Sequence, residues 1–171
     1  MTAAITPARR DVSVRVLVAV ACLVGAQFLH WSVIDAHARE WAAAGAFFFT
    51  LALAEGVLAA LLLVHLRPWV AATAIAVSAV PVLIWTWDRT IGLPFGPTAG
   101  IRGTIGRSDV LSVVFEVTTI VALLPFVRRR SGDGRGRVGL AGRIVIVASC
   151  VYVAGFSYWA IFGDLASTHI R

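Results

Sequence analysis

Runs of apolar residues, each long enough to span lipid, alternate along this chain with short polar or arginine-bearing breaks. The first run extends from Val16 to Ile34, after a tail carrying Arg9, Arg10 and Arg15. At about 20 residues per crossing it predicts a membrane helix over about 14–34. The same tail and run could be read as a leader cleaved after Val24-Gly25-Ala26. The apolar character continues through Phe28, Leu29, Trp31, Val33 and Ile34, which favours a retained helix. Asp35 to Glu40 reads as a short polar connection bracketed by the interfacial aromatics Trp31 and Trp41. A second span is predicted over 42–66, with Glu55 near its middle and Ala52, Gly56 and Ala60 as a small-residue row for close helix approach. Arg67-Pro68-Trp69 makes a tight turn into a third span over 69–87, proline being tolerated at a first helical position.

The stretch 88–109 is rich in glycine and proline yet carries Ile91, Leu93 and Phe95, and it is too long for a hairpin connection. It is expected to be an ordered cap on one end of the bundle. A fourth span follows over 110–127, then a basic loop over 128–143 and a fifth span over 144–163. The fold class is therefore an all-α transmembrane bundle of five helices in a single domain, or four if the last lies flat on the membrane.

Charge orients the bundle. All 15 basic residues are arginine, for a formal charge of +6. An N-terminus inside the cell puts ten of them in the cytoplasm, at Arg9, Arg10, Arg15, Arg67, Arg128, Arg129, Arg130, Arg135, Arg137 and Arg143. Five stay outside, at Arg39, Arg89, Arg102, Arg107 and Arg171. The positive-inside rule thus makes the N-terminus cytoplasmic and the 88–109 loop external. A composition of 59% hydrophobic and 14% charged residues leaves too little interior in so small a protein to hide the apolar surface from water. The absence of Lys and Asn suggests a GC-rich bacterial genome, and so a bacterial plasma membrane.

Several motifs reduce to simpler readings. Gly134-Arg135-Gly136-Arg137-Val138-Gly139 has dinucleotide-loop spacing but follows no strand, and its arginines belong to a cytoplasmic loop, so no nucleic-acid partner is expected. Cys22 and Cys150 lie in apolar runs outside any CxxC pattern. No nucleophile–base pair or hydrolase signature is present, and no cofactor is expected.

The polar residues inside the spans carry the functional reading. Ionisable groups in hydrocarbon are costly and face the bundle interior. Gln27, His30, Ile34 and His37 share one helical face, as do Ser78, Pro81, Trp85 and Asp88, and Asp109, Ser112, Glu116 and Thr119. Spans one, three and four would then surround an outward-facing polar pocket built from Gln27, His30, Trp85, Asp88, Arg89, Ser112 and Glu116, with Glu55 deeper. Such a pocket would take a small molecule or lipid. The bland alternative is a buried network that only fixes helix register. Arg89 is expected to pair with Glu116, directly or through Asp88, closing the loop over the bundle. Beyond the lipid bilayer, the partners consistent with this reading are a membrane complex in which the chain is an accessory subunit, or a second copy of the chain. Two other readings use the same residues: a metal or redox protein with ligands His30, His37 and Glu40, and a proton-coupled carrier with Glu55 and Glu116 as relay. His30 and His65 lie near opposite ends of their spans and cannot share one ion.

The segment Trp85-x-x-x-Arg89-Thr90-x-Gly92-Leu93-Pro94-Phe95-Gly96-Pro97, with Glu116 on the following helix, resembles a segment of uncharacterised small multi-pass membrane proteins of actinobacteria. The resemblance covers residues 81–120. It implies a shared fold and an actinobacterial source, and it carries no activity.

The topology is checked by cysteine labelling. A cysteine at Ser131 should react only with reagents that enter the cytoplasm, and one at Thr98 only from outside. Labelling of both from the same side overturns the five-span arrangement.

Overall fold

A computed structural model describes residues 13–128. Its elements are four helices, α1 (Val14–Glu40), α2 (Ala42–Val64), α3 (Pro68–Thr90) and α4 (Arg107–Arg128). Each is long and apolar enough to cross a membrane. The fifth span expected at 144–163, and the basic loop before it, lie outside the described residues.

The helices run up, down, up and down. α1 packs against α2 and α4, and α3 against α4 and α2, with no backbone contact across either diagonal. The result is a square four-helix bundle. Val16, Val20, Leu23, Leu62, Val70, Ala74 and Leu123 fill its core toward the α2–α3 turn, all but sealed from solvent. The outward faces are apolar as well: Val57, Leu83, Val114 and Val121 are each more than half exposed. A patch of that extent suits lipid rather than water as its solvent.

Two boundaries differ from the sequence reading. The polar stretch Asp35–Glu40 is not a connection; it continues α1 for a further turn and a half. It contains no glycine or proline to stop a helix. Arg39 pairs with Asp35 one turn back at 3.4 Å, and His37 Nδ1–H donates to the Val33 carbonyl at 2.9 Å. Trp41 alone is non-helical before α2 begins, in an extended conformation. At the other loop, α3 and α4 each extend about a turn beyond the predicted spans, narrowing the connection to residues 91–106.

A one-residue connection demands close helix approach. Gly45 meets the Ala38 backbone so tightly that an added Cβ would stand 2.7 Å from Ala38 Cα. Further along the same seam, Gly56 makes room for the Gln27 side chain. Of the expected row, Ala52 is buried and Gly56 meets α1 in the seam, whereas Ala60 is exposed; Glu55, Ala59 and Leu62 turn inward with Ala52. Glu55 at that spacing puts its carboxylate in the bundle centre.

The loop 91–106 folds back over the bundle end. Gly100 N–H donates to the Leu93 carbonyl at 2.7 Å, and the Phe95 ring leans on Trp41 with centroids 6.0 Å apart. Gly92 adopts a φ of 80° and has the Gly100 backbone where a Cβ would stand, so only glycine closes this loop.

The two seam glycines should respond differently to substitution. Gly45→Val pushes on backbone and is expected to destabilise the detergent-solubilised protein by roughly 1–3 kcal/mol. Gly56→Ala pushes only on a long flexible side chain, and the helix-propensity gain of alanine, about 1 kcal/mol, largely offsets the crowding. Thermal unfolding in one detergent compares the two. Equal losses would show that the α1–α2 turn is not the tight point of the bundle.

Candidate functional site

α3 ends and α4 begins at the loop-bearing end of the bundle, and a charge cluster ties them there. Arg89, in the last turn of α3, donates from Nη2 to Asp109 Oδ2 at 2.6 Å and from Nη1 to neighbouring Asp88. Its guanidinium carbon stands 5.8 Å from the Trp85 ring. Asp109 also accepts from Gly106 N–H at 3.2 Å, closing the first turn of α4. Gly103 of the loop lies against the ion pair so closely that a Cβ would collide with both Arg89 and Asp88.

This arrangement corrects the expected Arg89–Glu116 pair. Asp109 lies level with Arg89 across the α3–α4 seam, whereas Glu116 is seven residues farther along α4, about 10 Å deeper at 1.5 Å per residue. The shorter reach wins.

Beneath the charge cluster lies an open cavity of about 800 Å³ lined by all four helices and the loop. Leu29, Phe47, Phe48, Val82, Trp85 and Leu93 give it apolar walls, and His37, Glu40, Asp88, Arg89 and Asp109 stand toward its mouth. Its polar floor is His30, Ser112 and Glu116. The Trp85 indole N–H is buried with no hydrogen-bond partner among the described residues.

The floor is the top of a polar layer to which every helix contributes. His30 Nδ1 of α1 lies 3.0 Å from each carboxylate oxygen of Glu55 on α2. On its other edge, His30 Nε2 is 3.0 Å from Ser112 Oγ of α4. With the ring proton on Nδ1 donated to Glu55, Nε2 accepts from the serine hydroxyl. Glu116 completes the group: ligand-capable atoms of His30, Glu55 and Glu116 all lie within 4.8 Å of one another. The three residues are 4%, 0% and 1% exposed. Both Glu116 carboxylate oxygens, and the hydroxyls of buried Ser78 on α3 and Thr119 on α4, lack partners among the described residues.

Of the residues expected at the pocket, His30, Trp85, Asp88, Arg89, Ser112 and Glu116 line one cavity. Gln27 does not; its side chain packs on Gly56 in the α1–α2 seam. Glu55 lies behind His30 and somewhat deeper, as expected, yet within hydrogen-bond reach of it. The reason is the longer α1. Measured from helix ends at the loop side, His30 is ten residues in, Glu55 thirteen, Ser78 twelve and Glu116 nine. At about 1.5 Å per residue these are similar depths, roughly 14–20 Å.

The ligand set His30, His37 and Glu40 is not assembled. Phe48 lies beside both imidazoles, with ring centroids 5.6 Å from His30 and 4.4 Å from His37. His37 hydrogen-bonds its own helix, and Glu40 is exposed at the mouth. The structure gathers His30 with Glu55 and Glu116 instead. Comparison with family models, curated proteins and solved structures returns no match to this chain.

The Arg89–Asp109 contact is half-buried, between the near-zero worth of an exposed pair and the 3–5 kcal/mol cost of orphaning a buried charge. Arg89→Ala should therefore destabilise by about 1–3 kcal/mol. In a double-mutant cycle, Arg89→Ala and Asp109→Asn should couple by more than about 0.5 kcal/mol, whereas Arg89→Ala and Glu116→Gln should add within that figure. Coupling to Glu116 in place of Asp109 would restore the deeper pair.

Proposed function

We propose that this is a multi-pass membrane protein whose cavity receives a small amphiphile from the outer side of a bacterial plasma membrane. The observation that carries this reading is the cavity's division into apolar walls and a buried polar floor. Apolar cavities with a few convergent polar groups are the usual form of small-molecule sites. The ligand's hydrogen-bonding end would meet His30, Ser112 and Glu116, and its apolar part would lie among Phe47, Phe48, Trp85 and Leu93. Trp85 Nε1 supplies a further donor.

Arginine placement supports an outward mouth. Arg15, Arg67 and Arg128 belong to the end of the bundle opposite the loop, and the arginine-rich stretch from 128 onward follows from that end. The Arg89–Asp109 pair and the loop then form a lid at the outer surface. The role proposed is binding; Ser112, His30 and Glu55 do stand in the hydrogen-bond order of nucleophile, base and orienting carboxylate.

Native mass spectrometry of protein extracted gently from its own membranes tests the proposal. The wild type should carry a bound small molecule. Val113→Trp, which projects an indole into the cavity wall, should keep the fold and lose the adduct. A wild-type spectrum of bare protein, or an adduct that survives Val113→Trp, overturns the reading.

A further inference from the structure

We propose that His30, Glu55 and Glu116 form a binding site for one divalent first-row transition-metal ion, such as Mn²⁺, Fe²⁺, Co²⁺ or Zn²⁺, at the centre of the bundle. Three helices present these groups from different directions, with donor atoms within 4.8 Å of one another. Donors at about 2.1 Å from a common ion stand about 3.0–3.4 Å apart in octahedral or tetrahedral sites. His30 Nδ1 and the Glu55 carboxylate already have that spacing, at 3.0 Å. Glu116 needs a shift of at most about 1.8 Å to join them, within the reach of a side chain with three rotatable torsions.

A second observation points to a ligand independently of the clustering. Glu116 is 1% exposed, and neither of its oxygens has a hydrogen-bond partner among the described residues. A buried carboxylate in that condition costs several kcal/mol unless a cation or protons compensate it. Two glutamates bring a formal charge of −2, and one divalent ion cancels it without leaving net charge in the hydrocarbon layer. Ser78, which lies beside the Glu116 carboxyl group, and Thr119 are also buried and without partners among the described residues.

The donor set selects the metal class. One imidazole nitrogen with two carboxylates suits manganese, iron, cobalt or zinc; magnesium and calcium prefer all-oxygen shells. Metal on Nδ1 requires the ring proton on Nε2, where Ser112 Oγ, 3.0 Å away, accepts it. Such an outer partner fixes the tautomer and orients the ring. The ion displaces the Nδ1–H···Glu55 hydrogen bond, and any proton held between the carboxylates leaves to solvent. His30, Ser112 and Glu116 face the cavity and Glu55 closes the far side, so the ion would keep a coordination position open toward the cavity. The site does not require an organic occupant above it.

The test uses full-length protein, purified without a histidine tag, stripped with chelator and titrated with Co²⁺, whose d–d absorption reports coordination. One Co²⁺ per chain should bind, with visible bands of a nitrogen–oxygen site, a raised melting temperature and displacement by Zn²⁺. Glu116→Gln should weaken binding roughly 100-fold, and Ser112→Ala about 10-fold, the usual size of a lost outer partner. Because a glutamate substitution can impair folding, wild-type stoichiometry decides first. Wild type that binds no Co²⁺, Mn²⁺ or Zn²⁺ overturns the proposal and leaves the cluster a proton-sharing network. Binding unchanged in a folded Glu116→Gln variant, judged by its melting curve in chelator, overturns it also.

Discussion

Two carboxylates and an imidazole in the middle of a hydrocarbon-bounded bundle set the terms for everything around them. Lipid offers no hydrogen bond at that depth, so each polar atom must find its partner inside the protein or in the cavity. A hydrogen bond to a charged group contributes roughly 1.5–3 kcal/mol, so His30 between Glu55 and Ser112 resists any slip of α1 against α2 or α4. One residue's displacement along any of these helices would turn its polar group toward lipid. The apolar core nearer the α2–α3 turn has no comparable specificity, being valine, leucine and alanine throughout.

The loop-bearing end meets a different constraint. Here the helix ends, their charges and an irregular loop must coexist near the membrane surface. Arg89 joins the negative end of the α3 dipole to Asp109 in the first turn of α4, a placement favourable to both helices. The loop can close over that pair only because Gly103 has no side chain and Gly92 turns left-handed. Between this clamp and the polar layer lies the cavity, with Phe48 and Trp85 in its walls.

Much of this was legible in the sequence, and the misreadings share a cause. Helices one to four follow from hydropathy, which depends only on residue type. The cavity residues on α3 and α4 follow from the 3.6-residue period. Depth was the weak point. Polar Asp35–Glu40 reads as a loop because hydropathy marks where lipid ends, not where a helix ends. The lost turn and a half raised His30 toward the surface, separated it from Glu55 and left His37 and Glu40 as its apparent companions. The same fault paired Arg89 with Glu116, since neither residue's level was known against the other. That stretch holds no helix breaker, and this was the available signal. The Gln27–Gly56 contact had no such signal, because it depends on how two helices rotate against one another.

The single extended residue Trp41 between α1 and α2 has a mechanical consequence. With Gly45 seated on the Ala38 backbone, the first two helices behave as one stiff hairpin, and His30 and Glu55 move with it as a fixed pair. Along the chain α4 is joined to that hairpin only through α3 and the folded loop, so laterally it is held there by its packing on α1 and by Ser112 on the His30 imidazole.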